Sequence, residues 1–509
     1  MRKHGIFALL LLLAALCLTL PAAACEFGDC TLTHPDPIPA EAVELPAEGE
    51  TDLMAEPDYE GAIEAVRQAI WNGEASVALS EYALPVSQAA MQAMADELSR
   101  MPETFALSFS SCRFMHNGTN ILWMDLAYTM TAEEYVAAKE FYTDAVEDVT
   151  EQVDPDWSIV ETLLFVHDYL AVHYEYDMRL YEEDGPKKVN YDAYQFFRDG
   201  TGVCQAYTMA VLAILQELAI PVTYVESDNL HHIWNLVQVG DAWYHMDVTH
   251  DDPVNDHLGY ARHTHFLQSD AASFTEHTEG LYPNDWIYGM DIPVEERSDT
   301  RYDGYFWRDS KSCFLNADGI WYVVTENGLT TWDGKSDSFG TLLEVDPYFD
   351  TPSSGLTLDR GTLYYNSYWD VRSYELFTGL QEIALVLDED INALGVFAED
   401  GILRYGYYWW VGNEFYSAEA EADLGSPYRE TAGNYLYYVS EGTVHLQQED
   451  GAQAVVACYD EDGRMVDVGL LKGSGSHRLQ AAGAVKVISP DGTWSPVAVP
   501  LVGTVRRIH

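Results

Sequence analysis

The sequence predicts an α+β protein with helices in its N-terminal half and strands in its C-terminal half. Apolar residues recur at helical spacing from Val203 to Leu218 and indicate one long helix. Two apolar segments, 233–239 and 242–248, follow around Gly240-Asp241, a two-residue turn typical of an antiparallel hairpin. Beyond about residue 301 the chain consists of short aromatic and β-branched segments after glycine turns. We therefore expect a helix packed on an antiparallel sheet, with an N-terminal α/β subdomain and a C-terminal all-β repeat region.

Length and charge narrow the class of protein further. The chain has 509 residues, 48% of them hydrophobic, and a formal net charge of −57. This length allows roughly two to four globular domains, each with its own core. So large an acidic excess repels phosphate backbones and anionic membranes, which excludes nucleic acid as a partner. The excess indicates a well-solvated surface, and adaptation to salt is an alternative explanation.

The N-terminal residues have the pattern of a secretory signal. Basic residues precede an apolar run, Ile6–Leu20, and small residues follow at 21–24. The run is shorter than a membrane-spanning helix. Cleavage after the small residues would leave Cys25 first, so simple export and a lipoprotein anchored through Cys25 both stay open. We expect residues 1–24 to be a signal peptide and the protein to be secreted or at the cell surface.

The remaining chain divides by composition. Residues 25–58 are acidic and contain five prolines, a composition that cannot bury a core and indicates a disordered tether. Turns followed by aromatic strands recur about every 40 residues in the C-terminal half, which favours propeller-like repeat units. The predicted domains are an N-terminal α/β subdomain at 59–180, a core at 181–297, a β-rich repeat region at 298–450 and a small C-terminal β module at 451–509.

Three residues around the predicted helix and hairpin have the types that thiol catalysis needs. Cys204 opens the helix, where the positive end of the helix dipole favours thiolate over thiol. His232 and Asp247 lie diagonally on one face of the hairpin, within reach of each other. A cysteine or histidine alone is more often structural, but this order supplies a nucleophile, a base and an orienting carboxylate.

Three motifs carry a resemblance to a known family. They are Gly-Val-Cys-Gln-x-Tyr at 202–207, His-x-Trp-Asn at 232–235 and Trp-Tyr-x-x-Asp-x-Thr-x-Asp-Asp-Pro at 243–253. In this order they resemble the core motifs of the bacterial transglutaminase-like superfamily, relatives of the papain-type cysteine proteases. The resemblance implies a papain-like core with Cys204 as nucleophile, His232 as base and Asp247 as orienter. Ala206, Thr208 and His250 depart from the family's usual residues, which puts the shape of the substrate site in doubt.

Four residues beside the proposed triad are candidates for contact with the substrate in the cleft. They are Gln205, Tyr207, Trp234 and Asn235. Acidic residues and histidines between Asp251 and Asp270 match no metal-ligand spacing. We therefore expect no metal and no cofactor.

The sequence thus predicts an exported cysteine enzyme that acts on peptide or glutamine-carboxamide bonds through an acyl-enzyme. Transfer of the acyl group to water would make it a protease or amidase, a hydrolase, and transfer to an amine would make it a cross-linking acyltransferase. The expected partner is a protein or peptide, including cell-wall and surface proteins. The alternative is a catalytically silent adhesion module that uses the β-rich region. Tyr407–Trp410 would allow that region to bind glycan, although aromatics in strands are more often packed in a core.

Overall fold

The computed structural model describes two compact units of the chain. The described residues are 38–43, 56–181, 189–254, 258–278, 286–317, 319–326, 328–342, 351, 353–376, 379, 381–412, 414–424, 429–430, 435–440, 443–448, 453–459, 464–478, 484–488 and 494–497. One unit, here called the core unit, comprises the described residues of Pro21–Asp251 and His265–Tyr305. The other, here called the β unit, comprises those of Asp252–Thr264 and Phe306–His509. The predicted signal peptide 1–24 and Cys25 lie outside the described residues.

The core unit begins with a small sheet covered by two helices. Its elements are β1 (Ala40–Ala42), α1 (Tyr59–Trp71), β2 (Ser76–Ala78), α2 (Gln88–Ser99), β3 (Arg113–His116) and β4 (Ile121–Asp125). The strand order is β1-β3-β4-β2, with β1 parallel to β3 and the other pairs antiparallel. Buried apolar side chains such as Ile70 and Phe114 fill the space between sheet and helices. We call this part of the core unit the N-terminal subdomain.

Strand β1 departs from the predicted disordered tether at 25–58. Ala40–Ala42 pairs with β3, and Ile38 just before it is fully buried in the core of the subdomain. The physical reason is local. Ile38 and Ala40 give this short segment apolar surface to bury, which the acidic composition of the surrounding residues concealed. A disordered tether is therefore the wrong description of residues 38–43.

The larger part of the core unit packs helices against a five-stranded antiparallel sheet. The helices are α3 (Ala132–Thr150), α4 (Ile159–His173), α5 (Ala193–Asp199), α6 (Cys204–Glu217), α7 (Val248–Asp251) and α8 (Asp270–Thr278). The strands are β7 (Val222–Ser227), β8 (His232–Val239), β9 (Ala242–Met246), β10 (Phe266–Gln268) and β11 (Trp286–Tyr288), in the order β10-β9-β8-β7-β11, while β5 (Glu175–Tyr176) and β6 (Thr201–Gly202) pair separately. Among the described helices, none has both the length and the apolar character to span a membrane.

Helix α6 and the hairpin of β8 and β9 confirm the elements predicted from the sequence. Val239 pairs with Ala242 and Asn235 with Met246, and Gly240 in the turn has a positive φ of 65°. Every residue of α6 from Cys204 to Leu215 is buried. A helix that is apolar all round belongs in the interior, so α6 lies inside the unit with neighbours on all sides.

The β unit consists of antiparallel sheets of three or four strands. The strands are β12 (Leu315–Ala317), β13 (Ile320–Thr325), β14 (Gly328–Asp333), β15 (Ser338–Thr341), β16 (Leu356–Asp359), β17 (Thr362–Asn366), β18 (Asp370–Glu375), β19 (Gln381–Val386), β20 (Asn392–Glu399), β21 (Ile402–Val411), β22 (Glu414–Asp423), β23 (Arg429–Glu430), β24 (Tyr435–Ser440), β25 (Thr443–Gln448), β26 (Gln453–Tyr459), β27 (Met465–Lys472), β28 (Gly475–Arg478), β29 (Ala484–Ile488) and β30 (Trp494–Val497). Four of these, β13, β17, β21 and β24, follow the predicted turns, and each is an inner strand of its sheet. The carbonyl of Gly259 accepts a hydrogen bond from the backbone N–H of Leu356 in this unit. The sequence prediction placed Gly259 in the core at 181–297.

One buried ion pair joins the N-terminal subdomain to the large sheet. Arg100 follows α2, and its Nε donates to Glu226 Oε2 on β7 at 2.9 Å, with the two side chains 2% and 6% exposed. We expect Arg100→Met to lower the free energy of unfolding by about 3–5 kcal/mol, because it removes the cation beside a buried carboxylate. Urea denaturation measures this, and Arg67→Met, which removes two partly exposed pairs, with Glu64 and Glu103, should cost about 1 kcal/mol or less. Equal losses for the two variants would contradict the expectation.

Candidate active site

Cys204 is the first residue of α6 and is 2% exposed. The preceding residue, Val203, is extended and makes no side-chain cap hydrogen bond to the helix. Cys204 therefore lies at the positive end of the helix dipole, which favours a thiolate, whereas its burial opposes one. Gly202 permits the chain before Cys204 to pack closely against Ala206 and Phe196. A Cβ at this position would lie 2.6 Å from Ala206 Cβ and 2.7 Å from a ring carbon of Phe196.

His232 and Asp247 meet at the open end of the hairpin. His232 begins β8, Asp247 follows β9, and the distance from His232 Nε2 to Asp247 Oδ2 is 2.6 Å. Both side chains are buried. A carboxylate only accepts, so this contact favours the tautomer with the proton on Nε2. The other ring nitrogen, Nδ1, is then the one able to take a proton from a thiol.

Thr208 links the helix of Cys204 to the strand of His232. Its hydroxyl lies 2.9 Å from the carbonyl oxygen of Cys204 and 3.1 Å from that of Ile233. In the reverse direction, Asn235 Nδ2 on β8 donates to the Thr208 carbonyl at 3.2 Å. These contacts hold the first turn of α6 against the first residues of β8, so the two predicted reactive side chains start from adjacent points of the backbone.

We expect Thr208→Val to lower stability by about 1–2 kcal/mol, because two buried carbonyls lose their shared hydroxyl donor. The same change should slow alkylation of Cys204, since the helix start is no longer held to β8. Thr208→Ser retains the hydroxyl and is the matched control. Urea denaturation and site-resolved alkylation rates measure both effects. A valine variant that matches the serine variant in both measurements would contradict the role given to this hydroxyl.

The four candidates for substrate contact are all buried. Tyr207 packs against Phe196 with ring centroids 4.6 Å apart, and Trp234 Nε1 donates to His245 Nδ1 at 2.9 Å. Asn235 holds α6 as described above. These internal contacts give Tyr207, Trp234 and Asn235 a packing role that the sequence prediction did not anticipate, because position beside a triad residue does not fix the direction of a side chain. Gln205 lines a cavity of about 200 Å³.

Two further histidines surround Asp247: His250, noted from the sequence only as a departure from the family pattern, and His277, which the sequence prediction missed. His277 Nε2 on α8 lies 2.8 Å from Asp247 Oδ2, and His250 Nδ1 on α7 lies 3.4 Å from the same oxygen. Asp247 Oδ1 accepts from the backbone N–H of His250 at 3.1 Å. One ligand atom from each of His232, Asp247, His250 and His277 lies within 4.8 Å of the others, so this group could hold a metal ion. The prediction of no metal rested on the spacing of acidic residues and histidines between Asp251 and Asp270. The sequence around His277 contains no motif that would indicate a metal ligand.

The ionisation of this group follows from burial and from the histidines. Burial opposes the charge of Asp247, yet His232, His250 and His277 together hold the pKa of its carboxyl well below its usual range. Burial lowers the pKa of His277 to about 4, despite the nearby carboxylate. Burial likewise holds the pKa of His250 well below its usual range. At neutral pH the site therefore contains one anion, Asp247, beside the neutral imidazoles of His250 and His277.

A second buried cluster of histidines and carboxylates holds α7 through Asp251, the last residue of that helix. His167 Nδ1 on α4 lies 2.7 Å from Asp168 Oδ1, and its Nε2 lies 3.2 Å from Asp251 Oδ2. Asp251 also accepts from the backbone N–H of His265. Burial opposes a charge on His167, but the two carboxylates outweigh it and raise its pKa to about 9. The pair of His167 and Asp168 therefore has a structural role, since it anchors the helix that carries His250.

His167 should make stability depend on pH in the alkaline range. Its pKa is about 9 in the folded protein and about 6.5 when unfolded, so its contribution is complete below pH 6.5. That contribution is lost as the pH rises through 9, by roughly 3 kcal/mol in all. Urea denaturation between pH 6.5 and 9.5 measures it against His167→Gln, which cannot titrate. Parallel profiles for the two proteins would contradict the assignment.

Comparison with known families identifies this part of the chain. Residues 143–248 match the model of the transglutaminase-like superfamily, and Cys204, His232 and Asp247 all lie within the match. The chain contains a transglutaminase-like core. The α+β class with such a core and C-terminal antiparallel sheets is therefore confirmed, as is the resemblance read from the three motifs.

Solved structures with transglutaminase-like or protease descriptions match part of the chain. A crystal structure of a TGase is 14% identical with a TM-score of 0.20, covering 28% of this chain and 45% of that one. A structure described as a "Putative Cysteine Protease from Cytophaga hutchinsonii" is 18% identical with a TM-score of 0.18, covering 23% of this chain and 40% of that one. This chain thus spans less than half the length of either. No curated protein matches it.

Proposed function

We propose that the protein is a cysteine acyl-transfer enzyme in which Cys204 attacks the carbonyl carbon of a peptide or glutamine carboxamide. The observation that carries this proposal is the 2.6 Å contact of His232 Nε2 with Asp247 Oδ2, at the start of a strand held against the helix of Cys204. The family match supports the class of chemistry. We propose proteins or peptides as the substrate, and water or an amine as the acceptor of the acyl group.

The three side chains divide the reaction between them. His232 Nδ1 takes the proton from the Cys204 thiol as sulfur attacks, and the imidazolium formed is stabilised by the Asp247 carboxylate. The same nitrogen then gives the proton to the departing amine or ammonia, which leaves an acyl-enzyme thioester. The backbone N–H of Cys204 is our candidate donor to the tetrahedral oxyanion, a contact worth about 3 kcal/mol in comparable sites. Attack of water on the thioester releases a carboxylic acid, and attack of an amine releases a new amide. Either reaction regenerates the Cys204 thiol.

We place the enzyme outside the cell, either secreted or at the surface. The charged, apolar and small-residue pattern of residues 1–24 supports export, and lipid attachment at Cys25 would retain the protein at the membrane. Proteins or peptides of the cell wall and surface are the proposed substrates. The large net charge of −57 is in keeping with a well-solvated exterior.

Surface binding by the β unit is the second candidate function, favoured by one observation. Tyr407, Trp409 and Tyr416 form a stacked series on β21 and β22, with successive ring centroids 5.8 and 5.7 Å apart. Tyr416 is 39% exposed, and Tyr407 and Trp409 are partly exposed. Such a surface can stack on sugar rings. Retention of the whole protein on purified cell wall, and loss of retention in Trp409→Ala, would support this function.

Alkylation kinetics test the proposed chemistry. Cys204 should react with iodoacetamide at pH 6 faster than an unactivated thiol, because the helix start and His232 favour its thiolate. Cys112 is an internal control, since it is fully buried and burial raises the pKa of its thiol. Mass spectrometry of the digested protein resolves the two rates. A rate at Cys204 no faster than that of an unactivated thiol would overturn the proposal.

The acceptor is identified by a separate experiment. Wild type and Cys204→Ala are incubated with a peptide library and a labelled amine, and the products are read by mass. Hydrolysed peptides formed only by the wild type indicate transfer to water, and labelled peptides indicate transfer to the amine. Equal products from the two proteins would contradict a reaction at Cys204.

A further inference from the structure

Three imidazole nitrogens converge on one carboxylate oxygen in the core unit. Asp247 Oδ2 lies 2.6 Å from His232 Nε2, 2.8 Å from His277 Nε2 and 3.4 Å from His250 Nδ1. Orientation of a catalytic imidazole requires a single contact of this kind, here that of His232. The other two histidines therefore exceed what the proposed thiol chemistry needs.

The arrangement has the donor atoms of a four-coordinate metal site, all within 4.8 Å of one another. Zinc ligands lie about 2.0–2.2 Å from the ion, which puts neighbouring ligand atoms of a tetrahedron roughly 3.3 Å apart. The contact between His250 Nδ1 and Asp247 Oδ2, at 3.4 Å, already has that length. The two shorter contacts would each open by less than about 1 Å, within the movement that side-chain rotation allows. Three imidazoles and one carboxylate suit zinc-like cations and not calcium or magnesium, which prefer oxygen ligands.

The contacts of His277 give a second, independent argument. Its Nδ1 lies 3.0 Å from the carbonyl oxygen of Ser273, and its Nε2 lies 2.8 Å from Asp247 Oδ2. Both oxygens can only accept, whereas a neutral imidazole carries a single N–H. With the proton on Nε2, the Ser273 hydroxyl, also 3.0 Å from Nδ1, can donate to Nδ1, but the contact of Nδ1 with the Ser273 carbonyl then brings two acceptors together. A cation bound between Nε2 and Oδ2 would remove this conflict, with Nδ1–H donating to the carbonyl as metal-bound histidines commonly do.

The surrounding rings hold the ligands in place. Trp234 stacks on His277 with centroids 4.6 Å apart, and His265 packs edge-on against His277 at 4.8 Å. The rings of His232 and His250 stack at 4.4 Å. Because their directions are fixed by packing, the ligand atoms would need little reordering on binding an ion.

We propose that His232, Asp247, His250 and His277 form a binding site for a divalent transition metal of the zinc class. Binding there engages the base and the orienting carboxylate of the proposed triad, so the metal-bound protein should be unable to activate Cys204. The binding itself is independent of the proposed function, and only the inhibition depends on it.

Direct binding of Zn²⁺ and Co²⁺ tests the site. Equilibrium dialysis should give one Zn²⁺ per chain, and bound Co²⁺ should show the intense visible absorption of a four-coordinate ion. We expect affinity to fall by about 100-fold in both His250→Ala and His277→Ala. His173→Gln, which changes an exposed histidine of the same unit, should bind as the wild type does. Circular dichroism shows whether each variant is folded.

The outcomes separate the metal site from the thiol chemistry. Binding retained by Cys204→Ala supports the site, and binding lost with that thiol overturns it, as does unchanged affinity in both histidine variants. Zn²⁺ should also slow alkylation of Cys204 in the wild type by at least tenfold, and a bound ion without this effect would overturn the inhibition. If Cys204 is unreactive in metal-free protein while Co²⁺ binds as described, the proposed function fails and the metal site stands.

Discussion

Cys204→Ala is expected to lower acyl-transfer turnover by about 10⁶-fold, because no covalent intermediate can form. The fold should survive, since the change removes only the sulfur of a buried residue. The contact between the Thr208 hydroxyl and residue 204 uses the backbone carbonyl, which alanine retains. Turnover of peptides found in the product screen measures the effect, and thermal unfolding confirms that the protein is folded.

Cys112→Ala is the matched control for this prediction. The substitution is the same, the residue is buried in the same unit, and its sulfur contacts only the backbone of Ala127 among its described hydrogen bonds. This variant should keep turnover within a few-fold of the wild type, measured well below its unfolding temperature. Cys204→Ala with more than about 1% of wild-type turnover would contradict the assignment of the nucleophile.

Asp247→Asn should reduce turnover by about 10² to 10⁴-fold. Both carboxylate oxygens of Asp247 accept, Oδ1 from the backbone N–H of His250 and Oδ2 from His232. An asparagine has one acceptor oxygen and one NH₂ group, so it would set a donor against a donor at one of the two contacts. If the NH₂ faces His232, the proton moves to Nδ1 and the base is lost. Turnover over a range of pH measures the loss.

Asp270→Asn provides the comparison. Asp270 Oδ1 accepts from His245 Nε2 at 2.9 Å, another buried histidine of the large sheet, and the carboxylate also contacts Arg297. The change should affect stability more than turnover, because His245 is bonded through its other nitrogen to Trp234 and takes no part in the proposed proton transfer. Similar losses of turnover in the two variants would mean that Asp247 acts by general packing and not by orienting His232.

The parts of the fold that the sequence predicts well depend on local pattern. The apolar period of α6 and the two-residue turn at Gly240-Asp241 specify the helix and the hairpin without reference to the rest of the chain. The hairpin brings His232 and Asp247 together. One of the two contacts of the proposed triad therefore follows from the pairing register of β8 and β9. The position of Cys204 at the helix start follows from the same helical period.

The rest depends on contacts between distant segments. His277 lies on α8, and nothing in the residues around it indicates that it reaches Asp247. Thr208 was visible only as a departure from a family pattern, and its role appears when its hydroxyl is found between two carbonyls. Strand β1 was concealed by the acidic composition around it, because pairing to β3 depends on a partner more than seventy residues later in the chain.

The ion pair of Arg100 and Glu226 has a practical consequence for work with shortened forms of this protein. The family match begins at residue 143, after Arg100, although the sheet that it contains holds Glu226 in its interior. A fragment cut to the matched segment would deprive that sheet of its buried counter-ion. Expression should therefore start before Ile38, so that β1 and the first two helices are made together with the catalytic elements that they support.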